Sequence, residues 1–320
     1  MLSIYGVPEY IVFEYKLNWI TIAVLIALLY SIICSLVFFK IIVLSLEKSK
    51  QNEKNGLRQE IIASFILMQS TNILLIISEF LVIRLPLTTL FTSYFALNSP
   101  QSLMKSILFF HYIMFHSSQL LTVLFCGLRV SILYSIRDSI IKKAIKILPI
   151  IIFIIGFLTA FPHFSSGADC VQANFPFNFG SLLIVSLFFA SNPRFASIQV
   201  MSFISFSSIS ILIFSWLMFK KIQEGKKLSF QKSSAQSVKV ERTLTVTVVI
   251  LLIPFLLYFL IAMLVLLGAG RIPPGILSYI PSLRSILLDA RTHVATLYFY
   301  FTHPMFKTAK GRICPQTLNS

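Results

Sequence analysis

The chain has 320 residues, of which 57% are hydrophobic and only 12% charged. A soluble domain carries roughly 45–50% apolar and roughly 25% charged residues, so this surplus of apolar surface needs lipid as its solvent. The formal net charge is +16, but Lys and Arg stand in short blocks between apolar runs, which excludes a nucleic-acid binder and fits loops beside a membrane.

Residues 1–18 contain Glu9 and Glu14 and no basic leader, so they read as a short extramembrane N-terminus and not as a signal peptide. A spanning helix needs about 20 mostly apolar residues. The first candidate covers 19–39 and the second 61–83, with Glu79 about one turn from its end. The third covers 106–128, with His111 and His116 in one half and Arg129 closing the other. The fourth, 147–164, is short and places Pro149 near its head, where a missing N–H costs nothing. A long loop follows over 165–194. Its apolar stretch 180–190 is too short to cross and reads as an interfacial or re-entrant segment. The fifth span covers 195–219. The sixth covers 244–267 and holds Pro254, which removes a helix hydrogen bond and should kink the helix. The seventh, 281–301, is the least apolar, because it carries Arg284, Asp289, Arg291 and His293. Residues 302–320 form a tail. The expectation is an all-α polytopic membrane protein, a seven-helix bundle over 19–301.

Orientation follows from the basic residues. With the N-terminus outside, the four inner segments (40–60, 129–146, 220–242 and 302–320) hold twenty Lys and Arg, and the outer side holds six, counting Arg284 at the outer end of the seventh span. The inverted arrangement reverses that ratio, so the C-terminus is expected in the cytoplasm. No extramembrane segment is long enough to build a core of its own. The sequence has no phosphate-cradling glycine loop, HExxH helix or GxSxG elbow, so no enzyme is expected. Cys34, Cys126, Cys170 and Cys314 show no CxxC or Cys/His spacing, so no metal and no cofactor is expected.

Ionisable groups inside spans are costly and are candidates for function. Asp289 and His293 are four apart and share one helix face. Arg284 and Arg291 are seven apart and share another. Asp289 lies about 140° around the helix from Arg284, so one pair should face the bundle interior and the other a neighbouring helix or the interface. Asp289, His111 and His116 are the candidates for ligand contact. Glu79, Arg284, Arg291 and His293 read as structural polar residues, with Glu79 near Arg84 and Arg284 free to snorkel. Arg129 and Pro254 are the candidates for a switch, Arg129 as a residue that meets a coupling protein and Pro254 as a hinge.

Seven spans, an outside N-terminus, a basic third inner loop and a short basic tail resemble G-protein-coupled receptors. The rhodopsin-like motifs are poor: Leu128 precedes Arg129, the seventh span ends Tyr298-Phe299-Tyr300-Phe301-Thr302-His303-Pro304, no Trp stands two residues before Pro254, and Cys170 has no cysteine at the head of the third span. Val240-Glu241-Arg242-Thr243-Leu244-Thr245 leading into the sixth span, the Arg284…Asp289 pattern and the setting of Arg129 resemble the nematode serpentine chemoreceptors, class gamma or a close relative. The resemblance implies a chemosensory receptor of the plasma membrane or sensory cilium that signals to a heterotrimeric G protein. A small ligand would bind between the outer halves of spans three, five, six and seven. A membrane transporter or channel subunit is the alternative, although no internal repeat is visible.

Overall fold

The computed structural model describes residues 3–47, 59–191, 193–228, 235–267, 274–303 and 306. The basic clusters around Lys48, Lys50, Lys54 and Arg58, Lys232 between the fifth and sixth spans, and the tail with Lys307, Lys310, Arg312 and Cys314 lie outside the described residues.

Among the described residues, six helices are long and apolar enough to cross a membrane. They are α2 (Trp19–Glu47), α3 (Gln59–Leu87), α5 (Gln101–Leu133), α6 (Asp138–Ser166), α8 (Pro193–Leu228) and α9 (Ala235–Leu267). A seventh passage runs over 274–302 as α10 (Pro274–Asp289), a π-helical turn (Ala290–Val294) and α11 (Ala295–Thr302). Its four ionisable residues explain why it stays below the hydropathy of a span judged by composition alone. Most of the helices run past the apolar stretch that betrays them, because backbone hydrogen bonding continues into polar ends while hydropathy reports only the lipid-facing middle. α6 shows the consequence. It begins at Asp138, so Pro149 sits well inside the helix and not at its head. Proline is tolerated there because neighbouring groups in a membrane bundle can satisfy the freed carbonyl.

α2 is apolar on every side, and Ile22, Leu25, Ile26, Leu29, Ile32, Ile33 and Leu36 are all at least half exposed, so it packs at the periphery against lipid. α3 and α5 are the most buried spans and form the centre of the bundle. α6 lies directly against α5: a Cβ built on Gly156 would come within 2.5 Å of Ser117 Oγ and 3.2 Å of the Ile113 carbonyl. Only glycine permits that approach.

One end of the bundle carries a cap. β1 (Ala168–Gln172) and β2 (Leu182–Ser186) pair antiparallel with Ala168 opposite Ser186 and Gln172 opposite Leu182. The stretch expected to be interfacial or re-entrant is therefore a strand followed by the short helix α7 (Leu187–Ser191). Its alternating burial is that of a strand with one face on the protein. The N-terminal segment joins the hairpin. Ser3 bridges Val171, and Ile4 N donates to the Cys170 carbonyl at 3.2 Å. Helix α1 (Pro8–Ile11) and helix α4 (Thr92–Asn98) complete the cap, with Thr92 Oγ1 donating to the Gly180 carbonyl at 2.6 Å. Ile4, Ile20, Leu87, Met104, Cys170 and Leu182 bury a common apolar cluster beneath it. The opposite end, which carries Arg137, Lys142, Lys143 and Lys146, is the basic end. Its core is aromatic: Phe65 stacks on Phe299 at 4.1 Å between ring centres and touches Phe125 at 5.8 Å.

Candidate functional site

Among the described residues, the buried charges other than Arg129 gather between α3 and the seventh passage. Glu79 does not pair with Arg84, nor Arg284 with Asp289; each ion pair joins α3 to the seventh passage. Arg284 Nη2 donates to Glu79 Oε2 at 2.8 Å, and Ser285 Oγ donates to Glu79 Oε1 at 2.8 Å. Arg84 Nη2 donates to Asp289 Oδ1 at 2.7 Å and to the Ser285 carbonyl at 3.2 Å. The partner of Glu79 is thus Arg284 and not Arg84. Arg284 does not snorkel, because a buried carboxylate is within its reach. A π-helical turn lies next to each cluster, at Phe80–Arg84 and at Ala290–Val294. Such wide turns recur at functional sites, and here they fall where the charged residues are set.

Asp289 is a hub on the side facing α2. Besides Arg84, it accepts a hydrogen bond from the Tyr30 hydroxyl, and His293 Nε2 stands 3.9 Å from Oδ1. His293 also reaches Ser31 Oγ at 3.2 Å and meets the Tyr30 ring edge-on. Asp289 and His293 therefore share a face, as their spacing requires, and that face meets a neighbouring helix.

The other face of the seventh passage looks into the bundle. Arg284 and Arg291 line a cavity together with Glu79 and Leu75 of α3, Phe115 and Gln119 of α5, and Pro254, Phe255 and Tyr258 of α9. Leu287 and Leu288 complete the wall. The cavity measures about 30 Å³, room for a water or two. Among the described residues, α8 contributes no side chain to it. Arg291 is held by neutral oxygens: its Nη2 donates to Asn72 Oδ1 at 2.9 Å and to Ser118 Oγ. The Ser118 hydroxyl donates to the same Asn72 oxygen, and Asn72 Nδ2 donates to Gln69 Oε1 at 3.0 Å. The guanidinium carbon lies 4.5 Å from the centre of the Phe255 ring, a cation–π contact.

The histidines divide. His111 contacts the cavity's charged wall, with Nε2 3.0 Å from Arg284 Nη2 and Nδ1 3.0 Å from Ser78 Oγ. Its Nε2 also stands 3.6 Å from Glu79 Oε2. His116 is fully buried, with no hydrogen-bond partner for either ring nitrogen among the described residues, and packs against Phe203 at 4.2 Å. It does not line the cavity. Arg129 is buried in the basic half of α5, one turn from the helix end. Pro254 lies inside α9, which continues unbroken through it, and its neighbour Phe255 touches Arg291.

The two groupings by helix face hold: Asp289 lies with His293, and Arg284 with Arg291. The arginines, read as structural, line the cavity; Asp289, read as a ligand contact, does not. Asn72, Ser118 and Tyr30, which bond to these charged side chains, and Gln119 and Tyr258, which line the cavity, were not singled out from the sequence. The signal available for one of them was the polar run Gln69-Ser70-Thr71-Asn72, which interrupts an otherwise apolar span.

A family model described as serpentine type 7TM GPCR chemoreceptor Sru matches residues 4–309. No curated protein matches the chain.

Proposed function

That match covers nearly the whole chain, which belongs to the serpentine type 7TM GPCR chemoreceptor Sru family, and from this premise we propose that it binds a small ligand at the cavity between α3, α5, α9 and the seventh passage and signals to a heterotrimeric G protein. The observation that carries the reading is the cavity itself. It is the place where buried cations, a carboxylate and neutral hydrogen-bonding side chains converge around open space, and all four of its walls are spanning helices.

The size of the cavity sets the mechanism. Small-molecule sites usually enclose about 300–1,000 Å³, roughly tenfold more than the 30 Å³ found here. A ligand can enter only by moving a wall, and it shifts the receptor by the difference in its affinity for the opened and closed forms. α9 is the wall suited to move, since Pro254 removes one of its backbone hydrogen bonds at cavity depth. Displacing Phe255 from Arg291 would free the half of α9 that leads to the basic end, where Arg129 is buried. The twenty-to-six distribution of Lys and Arg supports a cytoplasmic basic end. Ser3 and Ile4 join the hairpin at the end opposite the basic one, so the same distribution supports an outside position for the cap and residues 3–18. The plasma membrane, a sensory cilium included, is the expected location.

The test is expression of the chain with a tag on each terminus and a promiscuous G protein, followed by a broad panel of small odorants. The expected result is an accessible N-terminal tag, an inaccessible C-terminal tag in intact cells, and a G-protein response to a subset of compounds. Silence across the panel with confirmed surface expression overturns the reading, and flux through the reconstituted protein without any ligand points instead to a transporter or channel.

A further inference from the structure

Among the described residues, the buried charges around the cavity include one without a counter-charge. Glu79 is met by Arg284 at 2.8 Å, and Asp289 is met by Arg84 at 2.7 Å. Arg291 remains. It is 5% exposed, its Nη2 is bonded to a neutral amide oxygen and a hydroxyl, and its Nε has no hydrogen-bond partner among the described residues. An uncompensated charge held away from water is expensive, and evolution keeps such residues where they act. Arg291 lines the cavity, and Gln119 of α5 and Tyr258 of α9 add neutral hydrogen-bonding groups from two other walls. The Gln119 Oε1 is likewise buried and has no hydrogen-bond partner among the described residues. The rest of the lining is apolar, chiefly Leu75, Phe115, Leu287 and Leu288.

We propose that the ligand is a small organic anion, a monocarboxylate with a short apolar or aromatic tail, whose carboxylate pairs with Arg291. This rests on the receptor reading above and names its ligand class. A guanidinium presents planar donors that match a carboxylate's two oxygens. Arg284 is the poorer anchor, because Glu79 already occupies its donors and would repel an incoming anion. The apolar lining takes the tail. The carboxylate competes with the Phe255 ring for the face and edge of Arg291, so the ligand's charged head acts on α9 one residue from Pro254. The chemical group that identifies the ligand is therefore also the group that would open the cavity.

The test pairs acids with uncharged isosteres: butanoate, hexanoate and benzoate against butanamide, hexanamide and benzamide. It uses the full chain in two readouts, the G-protein response in cells and the thermal unfolding midpoint of the purified receptor. The acids are expected to raise the midpoint and to act at concentrations about ten- to a hundredfold lower than the amides, the worth of one charged hydrogen-bonded contact. R291Q is expected to erase the acid preference, and R291K to restore part of it. The acid–amide comparison on the unmutated chain stands even if R291Q fails to fold. Equal responses to each acid and its amide, or an acid preference that survives in R291Q, overturn the proposal while leaving the receptor reading intact. Acids that raise the midpoint in an Arg291-dependent way without any G-protein response uphold the proposal and overturn the receptor reading.

Discussion

Arg284 holds Glu79 through two donors, Nη2 to Oε2 at 2.8 Å and Nε to Oε1 at 3.4 Å, across 205 residues of sequence. The carboxylate is 1% exposed and accepts a third hydrogen bond from Ser285. Removing one member of a buried pair strands the other, at a cost of about 3–5 kcal/mol. Glu79→Gln should therefore cut surface expression sharply and lower the unfolding midpoint in detergent. The exchange Glu79→Arg with Arg284→Glu restores opposite charges and should recover part of the loss. No recovery in the double variant would mean that the pair's geometry matters beyond its charge.

Asp289 separates a structural role from a ligand role. It closes a three-helix junction, pairing with Arg84 of α3 and Tyr30 of α2, and it does not line the cavity. Asp289→Asn should lower the amount of folded receptor by a margin like that of Glu79→Gln, about 3–5 kcal/mol. The receptor that does reach the surface should keep its ligand potency. Tyr30→Phe removes one hydrogen bond and leaves the ion pair, so it should cost only about 0.5–1.5 kcal/mol. Dose–response curves normalised to surface protein distinguish the cases. A potency loss in Asp289→Asn would bring this residue back to the ligand.

The contrast between Asp289 and Arg291 shows how far the sequence could be read. Helical spacing placed Asp289 with His293 and Arg284 with Arg291, and the structure keeps both groupings. Spacing carries no information about which face meets the cavity, because that depends on where α2 and α9 lie. The ion pairs were misread for a related reason. Glu79 and Arg84 are close in sequence, yet their partners lie on a helix 205 residues away. The β-hairpin was hidden because Leu182–Ser186 is apolar at nearly every position. A strand and a short helix segment look the same in such a run. The spans themselves were legible, since each of the six apolar helices announces itself by composition.

Cys170 should be chemically silent in the folded protein. It lies in the hairpin, buried, with its sulfur 3.3 Å from Met104 Sδ. Burial, with a smaller contribution from the Asp169 charge, pushes its thiol pKa up to about 12 from an ordinary value of 9.0. The thiolate is the reactive form, so at pH 8 its population falls by about a thousandfold. In a variant whose other cysteines are replaced by alanine, maleimide labelling should be absent from pH 7 through 9 and rise only toward pH 12. The same shift sets a sign for stability. The folded state holds the proton more tightly, so this contribution is present below pH 9 and is lost as the pH climbs from there. Rapid labelling of the intact receptor at pH 8 would show that the cap opens readily.

Gly156 tests the packing of α6 on α5. A methyl group there would meet Ser117 Oγ at 2.5 Å and the Ile113 carbonyl at 3.2 Å. The hydroxyl belongs to a fully buried side chain, and the carbonyl belongs to a helix backbone, so neither can withdraw freely. Gly156→Ala should destabilise by about 1–3 kcal/mol, the usual cost of overpacking a filled interior, seen as a lower unfolding midpoint. Adding Ser117→Ala removes the nearest atom and should recover part of the loss, while the Ile113 carbonyl keeps the recovery incomplete. Gly127→Ala is the control. Its new methyl would meet only the edge of the Phe214 ring at 3.3 Å, a side chain that can tilt, so its cost should be smaller. If Gly156→Ala is neutral, α6 is not seated by this approach, and the helix must be free to shift along α5.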